Sequence, residues 1–233
     1  MFKISKIPKH YIFRTTKNYI KNLSFYKNLE TQQDLIIFPN GDVLTSFISG
    51  LYWLNEKDQR FDLANAISGA FKINVLSKNR IAVSYLNKDM LLFQVNSDRS
   101  LTQIQAILPK VQGFYLSENP TTHQYWVGTN KGIFLLYNNF KIIQHFDSNN
   151  GLAGTYIYGL LLDDAGNAWC SHQRGLSSIN AKDYNIINFD KSDGIQDWDF
   201  NNRSFFKSSD GTLYFGGVNG ANYFKPPLKQ NSF

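Results

Sequence analysis

A glycine-marked hairpin pattern that recurs along the chain constrains its fold more than any other feature. In the clearest copy, residues 125–137, an apolar segment, a Gly-Thr pair, a polar pair and Gly132 precede a second apolar segment. Glycine accommodates the positive φ that a tight turn between two strands requires. Further copies lie at residues 43–51, 168–176 and 213–221. The pattern therefore predicts a chain built from antiparallel hairpins.

The spacing of the copies predicts the fold class. Successive turn positions are 38, 44, 43 and 45 residues apart, at Gly50, Lys88, Gly132, Gly175 and Gly220. A period near 42 with four short strands per repeat is typical of the blades of a β-propeller. A sandwich would not give so regular a period, and we find no convincing amphipathic helix. We predict an all-β propeller with about five four-stranded blades.

The whole chain is predicted to be one propeller segment. The expected blades are a partial one over 1–30, then 31–70, 71–110, 111–150, 151–195 and 196–233. Within the first, residues 9–20 resemble a worn copy of the repeat, with Asn18 in place of the second glycine. Because closed rings commonly hold about six to eight blades, we expect an incomplete or open part of a larger propeller. Its exposed blade faces favour self-association or pairing with the remaining blades.

The charge and hydropathy of the sequence limit the classes of partner that can be expected. The formal net charge is +6, and residues 1–30 carry seven Lys and Arg against Glu30 alone. These cations form no tight cluster and accompany no nucleic-acid module, so we favour a solvated edge and predict no nucleic-acid partner. No apolar run approaches the roughly 20 residues of a membrane span, and no export signal is visible. The location of this segment itself stays open.

The last hundred residues carry motifs of a known family. They comprise an acidic turn before a tryptophan strand (Asp164 to Trp169, then Gly175-Leu176), the loops 149–152 and 192–196, and the closing stretch 199–226. This combination resembles the C-terminal blades of the two-component regulator propeller family, the periplasmic sensor region of bacterial hybrid histidine kinases. Asn149 replaces the family's usual Asp, and His172-Gln173 replaces its Gly-Thr.

The resemblance implies a non-catalytic sensory propeller that binds a ligand, with a carbohydrate expected. In the family, such blades precede an immunoglobulin-like domain, a membrane helix and a histidine kinase, none of which is visible in this sequence. The resemblance thus implies a periplasmic parent protein that reaches the membrane only through parts outside this chain.

Candidate chemistry is sparse. Asp164-x-Gly166-x-x-Trp169 also resembles the Asp-box of sialidase propellers, in which the acid caps a turn and the aromatic ring packs into the blade. The four histidines lack metal-ligand spacing, and Cys170 is expected to be a small apolar core residue. His172, at a hairpin tip, is expected to be exposed. We predict no catalytic residue, no metal and no cofactor.

Binding is the better hypothesis. The turn between the second and third strands of a blade and the connection between blades share one face of a propeller. The ligand-binding candidates there are Asn130, Lys131, Arg174, Asp193, Gln196, Asp197, Trp198, Asp199 and Asn201. A tryptophan ring stacks on the CH faces of a sugar, while carboxylates and amides bind its hydroxyls. The alternative is that Trp198 anchors its loop onto the neighbouring blade.

Two other functions stay open. A propeller enzyme acting on polysaccharide, either a glycosidase or a lyase, would need two carboxylates facing one cleft. A protein-binding scaffold would present a flat apolar face instead. The sequence alone does not decide between them.

Overall fold

In the computed structural model, residues 3–5, 32–55, 57–58 and 60–228 are described. Within them the chain forms five four-stranded antiparallel sheets arranged as a β-propeller, which confirms the predicted all-β fold and its blade number. Blade 1 contains β2 (Asp34–Ile37), β3 (Val43–Phe47), β4 (Gly50–Asn55) and β5 (Arg60–Asn65). Blade 2 contains β6 (Ala70–Leu76), β7 (Arg80–Tyr85), β8 (Met90–Val95) and β9 (Leu101–Ile107).

Blades 3 to 5 repeat this order. Blade 3 contains β10 (Gly113–Glu118), β11 (Tyr125–Thr129), β12 (Gly132–Leu136) and β13 (Ile142–Phe146). Blade 4 contains β14 (Ile157–Leu162), β15 (Ala168–His172), β16 (Gly175–Ile179) and β17 (Ile186–Phe189). Blade 5 contains β18 (Phe200–Lys207), β19 (Leu213–Gly217) and β20 (Gly220–Phe224). Two short 3-10 turns, Ser148–Asn150 and Lys191–Asp193, lie in the connections into blades 4 and 5.

The fourth strand of blade 5 comes from the other end of the chain. β1 (Lys3–Ser5) pairs antiparallel with β20, with Ile4 opposite Asn222. Residues 3–5 thus supply a strand of blade 5, because backbone pairing depends on a free sheet edge and not on sequence position. The partial blade over 1–30 stays a prediction. The predicted worn repeat over 9–20 lies outside the described residues.

Apolar clusters join neighbouring blades. Buried side chains of blades 1 and 2 form one cluster, and three more join blades 2 and 3, blades 3 and 4, and blades 4 and 5. Side chains alternate between the two faces of a strand, so each blade contributes to the cluster on either side. Trp126 and Trp169, from the repeated tryptophan strands, are both buried in these clusters.

Two blade faces remain partly exposed. On the face of blade 5 that is turned away from blade 4, Phe206 and Tyr214 are 51% and 37% exposed. Leu35 and Ile37 of β2 alternate with Ile36, which packs toward blade 2, and they are 40% and 45% exposed. Self-association through such faces stays a prediction.

Candidate functional site

The inter-blade connections and the turns between second and third strands lie at one end of the propeller. We call this end the loop face; it comprises residues 130–131, 147–156, 173–174, 190–199 and 218–219. All but one of the predicted binding residues lie on it, and the exception, Asn201, is the second residue of β18. None of them has been tested as a ligand contact, so they stay predictions.

The connection of residues 190–199 begins with a capped turn. Asp190 accepts a hydrogen bond from the Ser192 amide at 2.7 Å, and the Asp193 carboxylate accepts one from the Asp190 amide at 2.9 Å. The Ser192 hydroxyl and amide bonds lower the pKa of Asp190. Gly194 then reverses the chain at φ +89°. Asp193 therefore shapes the turn, because its carboxylate is already engaged by the backbone.

Gln196 fastens this connection to the turn between β19 and β20. Its Oε1 accepts from the Asn219 amide at 2.7 Å, and its Nε2 donates to the Asp199 carbonyl at 2.9 Å. Its own amide donates to Asn222 Oδ1 at 2.9 Å. A side chain at Gly217 would collide with the Gln196 amide, so glycine is required there. Gln196 is thus a positioning residue with both ends of its amide engaged.

Asp197 is held as a carboxylate. Lys191 Nζ lies 2.5 Å from its Oδ1, the Trp198 amide donates to it at 2.7 Å, and Asn219 Nδ2 also donates to it. The bond from Lys191 is the main reason that the pKa of Asp197 is lowered. A general acid needs a raised pKa, so Asp197 is unsuited to that role.

An exposed aromatic and acidic surface follows. The side chain of Trp198 is 44% exposed, and Asp199 is exposed beside it. Asp199 lies near Tyr158, whose pKa is raised by burial and, secondarily, by the charge of Asp199. Tyr156, 41% exposed, has its ring centroid 5.7 Å from that of Tyr158. Two aromatic rings and a carboxylate are therefore accessible at the loop face.

The other candidates lie in separate turns of the loop face. Lys131 donates its amide to Thr129 Oγ1 at 2.9 Å and accepts from His145 at its carbonyl at 2.7 Å. The Asn130 amide donates to the Gln112 carbonyl at 3.2 Å. Arg174 donates its amide to His172 Nδ1 at 3.1 Å. These contacts are local, whereas residues 196–199 form one cluster with Asn219.

Sequence reasoning missed a row of aromatic residues on the inner strands. Phe71, Phe114 and Tyr158 are each skipped in the pairing with the second strand, so each is a one-residue β-bulge. Bulges redirect side chains. Phe114 contacts Tyr156, with ring centroids 4.9 Å apart. These three positions are 43 and 44 residues apart, and this regular spacing is the sequence signal that could have identified them. The equivalent position in blade 5, 43 residues after Tyr158, is Asn201.

Two sequence expectations need correction. The turn of the Asp-box motif is capped by Asp163, which accepts bonds from the Ala165 amide at 2.9 Å and from Trp169 Nε1 at 3.0 Å. Asp164 instead pairs with Lys207 at 2.7 Å. The turn places the earlier acid beneath its own amides, and the later one projects outward. The site is structural, as predicted, but the capping residue is Asp163.

His172 is buried, not exposed. Its Nε2 lies 2.7 Å from Ser177 Oγ, whose hydroxyl donates to Asn188 Oδ1 at 2.6 Å. Burial lowers the pKa of His172 to about 4, so the ring is neutral. A Cβ at Gly154 would come within 2.5 Å of His172 Nδ1, which shows how closely the connection covers the ring. The Ser177–His172 pair is therefore inaccessible to a substrate.

Cys170, the single cysteine of the sequence, is buried, and this burial raises the pKa of its thiol to about 12. Among the described residues no group of three His, Cys, Asp or Glu side chains could hold a metal ion. Nor does any described helix have the length and apolar character needed to cross a membrane.

Similar proteins were found by sequence and by structure, although no protein-family model matches the chain. A relative, "Histidine kinase P4" of Formosa agariphila, is 33% identical over 84 residues, which are 36% of this chain and 6% of that protein. The extracellular domain of the hybrid two-component system BT4673 of B. thetaiotaomicron matches 87% of this chain with a TM-score of 0.68 and 16% identity. That of BT3049 matches 84% with a TM-score of 0.63 and 13% identity.

The chain resembles the propellers of two-component sensors. This confirms the predicted resemblance, and at such identities the solved structures show a shared fold alone. The chain spans 30% and 34% of the two sensor domains. Enzymes also share the fold, since virginiamycin B lyase from Staphylococcus aureus matches 88% of this chain and 73% of its own, at 14% identity and a TM-score of 0.62.

Proposed function

We propose that this chain is a sensory, non-catalytic propeller segment and that its ligand is a carbohydrate bound on the loop face. The observation that carries the proposal is the exposed Trp198 ring beside the Asp199 carboxylate, on a connection whose backbone is fixed by Gln196. Stacking on an aromatic ring and hydrogen bonding to a carboxylate are the two interactions that sugars need. The similarity to sensor domains supports the sensory part.

A sensor of this kind acts by binding one conformation or subunit arrangement more tightly than another. In the parent protein, the ligand would bind outside the inner membrane and shift the arrangement of subunits that a kinase domain reads. Exposed blade faces such as that of Phe206 and Tyr214 would supply contacts with further blades or a second subunit. No catalytic step is assigned to this segment.

The test is a binding screen of the purified chain with oligosaccharides, followed by isothermal titration calorimetry and tryptophan fluorescence. For any oligosaccharide that binds, Trp198→Ala is expected to weaken binding by about 10-fold or more, because truncating an aromatic contact residue commonly costs more than about 1.4 kcal/mol. Tyr137→Ala is the matched control, since Tyr137 is 51% exposed and follows β12 at the opposite end of the blade.

Absence of any oligosaccharide binding, or equal loss of affinity in the Trp198 and Tyr137 variants, would contradict the proposed site. Turnover of a bound polysaccharide into shorter or unsaturated products would favour the enzyme alternative. Each outcome can be read from the same titrations with product analysis by chromatography.

A further inference from the structure

The inner strand of blade 5 leaves its sheet at the centre of the propeller. Phe200 is opposite Gly217 and Phe205 is opposite Phe215, so the four residues from Asn201 to Ser204 face a single partner residue. The inner strands of blades 2, 3 and 4 have one-residue bulges at the same point. Arg203 adopts φ +66°, a left-handed conformation that is uncommon for a non-glycine residue. We call residues 201–204 the blade 5 bulge.

The blade 5 bulge contacts two other blades and the residue that precedes a third. Tyr115 of blade 3 donates a hydrogen bond to Asn202 Oδ1. The Arg203 guanidinium donates to the carbonyl of Gln33, which precedes blade 1, at 3.3 Å and to that of Phe71 in blade 2 at 3.4 Å. It also lies 5.4 Å from the centroid of the Phe71 ring. The guanidinium is therefore held where the inner strands of several blades meet.

The charge of Arg203 is not matched by a carboxylate. Within the described residues its acceptors are neutral oxygens at 3.3–3.5 Å, and no ion pair forms within 4.0 Å. Arg60 and Arg99, by contrast, pair with Asp62 and Asp42. The nearby Asp34 carboxylate is itself paired with Lys72 at 2.9 Å. Arg203 is exposed to solvent, and these bonds are longer than the roughly 2.7–3.2 Å typical of N–H···O bonds, so a ligand anion can compete for its donors.

Further polar and aromatic side chains lie at the same end of the inner strands as Arg203. Asn201 and Asn202 are both exposed next to Arg203, and in the described structure Asn202 Nδ2 has no partner. The exposed Tyr156 packs on Phe114, which in turn lies 6.2 Å from Phe71, the ring under Arg203. A guanidinium, two amides and an aromatic ring thus lie at the loop-face end of the inner strands. Guanidinium groups bind carboxylates and sulfates through paired, charge-assisted hydrogen bonds.

We propose that the blade 5 bulge recognises an anionic group, a carboxylate or a sulfate, on the carbohydrate ligand, and that Arg203 is the residue that binds it. The inference rests on the proposed function and specifies the class of sugar, an acidic one. Asn201 and Asn202 supply further donors, and Tyr156 offers a ring for the neighbouring sugar.

The experiment compares three matched tetrasaccharide series, neutral, uronic acid and sulfated, against the full chain by calorimetry at two salt concentrations. At least one acidic series is expected to bind about 10-fold or more tightly than its neutral counterpart, because charge-assisted bonds are about twice as strong as neutral ones. The preference should shrink at high salt. The uronic and sulfated arms distinguish a carboxylate from a sulfate.

Three variants separate recognition from folding. Arg203→Gln should bring acidic and neutral affinities within about 2-fold of each other, whereas Arg203→Lys should keep part of the preference. Arg60→Gln, which removes an equal charge from the outer strand of blade 1, should keep all of it. Thermal melts confirm that each variant is folded, and the wild-type comparison of acidic and neutral ligands stands without any variant.

The outcomes are distinct. If acidic and neutral ligands bind wild-type protein equally, the inference about Arg203 fails while the proposed function survives. If Arg203→Gln retains the preference, Arg203 is not the binding residue and the inference also fails. If no tetrasaccharide binds, both the proposed function and the inference are overturned.

Discussion

The connections into blades 4 and 5 begin alike and end differently. In the first, Asp147 caps a 3-10 turn, Gly151 adopts φ +100°, and Leu152 is buried. In the second, Asp190, Gly194 and Ile195 take the same three roles. After that point, the first connection packs Gly154 onto the buried His172, whereas the second exposes Trp198 and Asp199. The same capped turn thus fixes the path of the chain in both connections. The residues after the turn differ in their exposure: they cover a buried side chain in one connection and face solvent in the other.

Truncation of the two buried residues that follow the turns, Leu152 and Ile195, should give equal losses of stability. These are the largest effects expected. Leu152→Ala and Ile195→Ala are each expected to lower the free energy of unfolding by about 3 kcal/mol, because each removes a buried aliphatic side chain from an inter-blade cluster. Urea denaturation monitored by circular dichroism measures both. If only one anchor matters, the two connections are not built alike.

The buried histidine of the first connection should make stability depend on pH. The folded pKa of His172, about 4, lies below its ordinary value of 6.5, so between these values the unfolded chain binds the extra proton. Stability is therefore complete above pH 6.5 and is lost as pH falls toward 4, by about 2 kcal/mol between pH 7 and pH 5.

This dependence is checked by comparing urea melts of wild-type protein and His172→Gln at both pH values. The wild-type loss should exceed that of the variant by about the same 2 kcal/mol. The other groups that titrate in this range are common to both proteins, so their contributions cancel. An identical pH profile in the two proteins would mean that the pKa of His172 does not differ between the folded and unfolded states.

The capping acids should give smaller and matched effects. Asp147→Ala and Asp190→Ala each remove an N-cap hydrogen bond. Each is expected to lower the free energy of unfolding by about 1 kcal/mol. Replacement by Asn should restore most of the loss, since Asn is an equally good cap. Thermal melts of the four variants test this, and a failure of Asn to rescue would point to a role of charge rather than capping.

The smallest change in stability is expected for Trp198, the residue proposed to stack on the ligand. Trp198→Ala should change the free energy of unfolding by less than about 0.5 kcal/mol, because its side chain is 44% exposed. A loss above about 2 kcal/mol would instead show that Trp198 anchors its connection onto the next blade, the alternative that the sequence leaves open. The same urea denaturation as for the anchors provides the comparison.

The sequence by itself determined the blade and its repetition. Turn glycines, the tryptophan strands and a period near 42 are local signals, because hairpin geometry depends on neighbouring residues. They predicted the five blades and the face on which residues 196–199 lie. They also predicted that the Asp-box is structural, although the capping acid was displaced by one residue, since only the folded turn decides which carboxylate meets the amides.

Only the tertiary structure decided which distant residues meet. The pairing of Lys3–Ser5 with β20, the burial of His172 under Gly154, and the contact of Arg203 with Gln33 join positions far apart in the chain. Such contacts depend on how blades are arranged around the centre, which no local pattern encodes. The spacing of Phe71, Phe114 and Tyr158 was present in the sequence, yet only the strand pairing identified these positions as bulges.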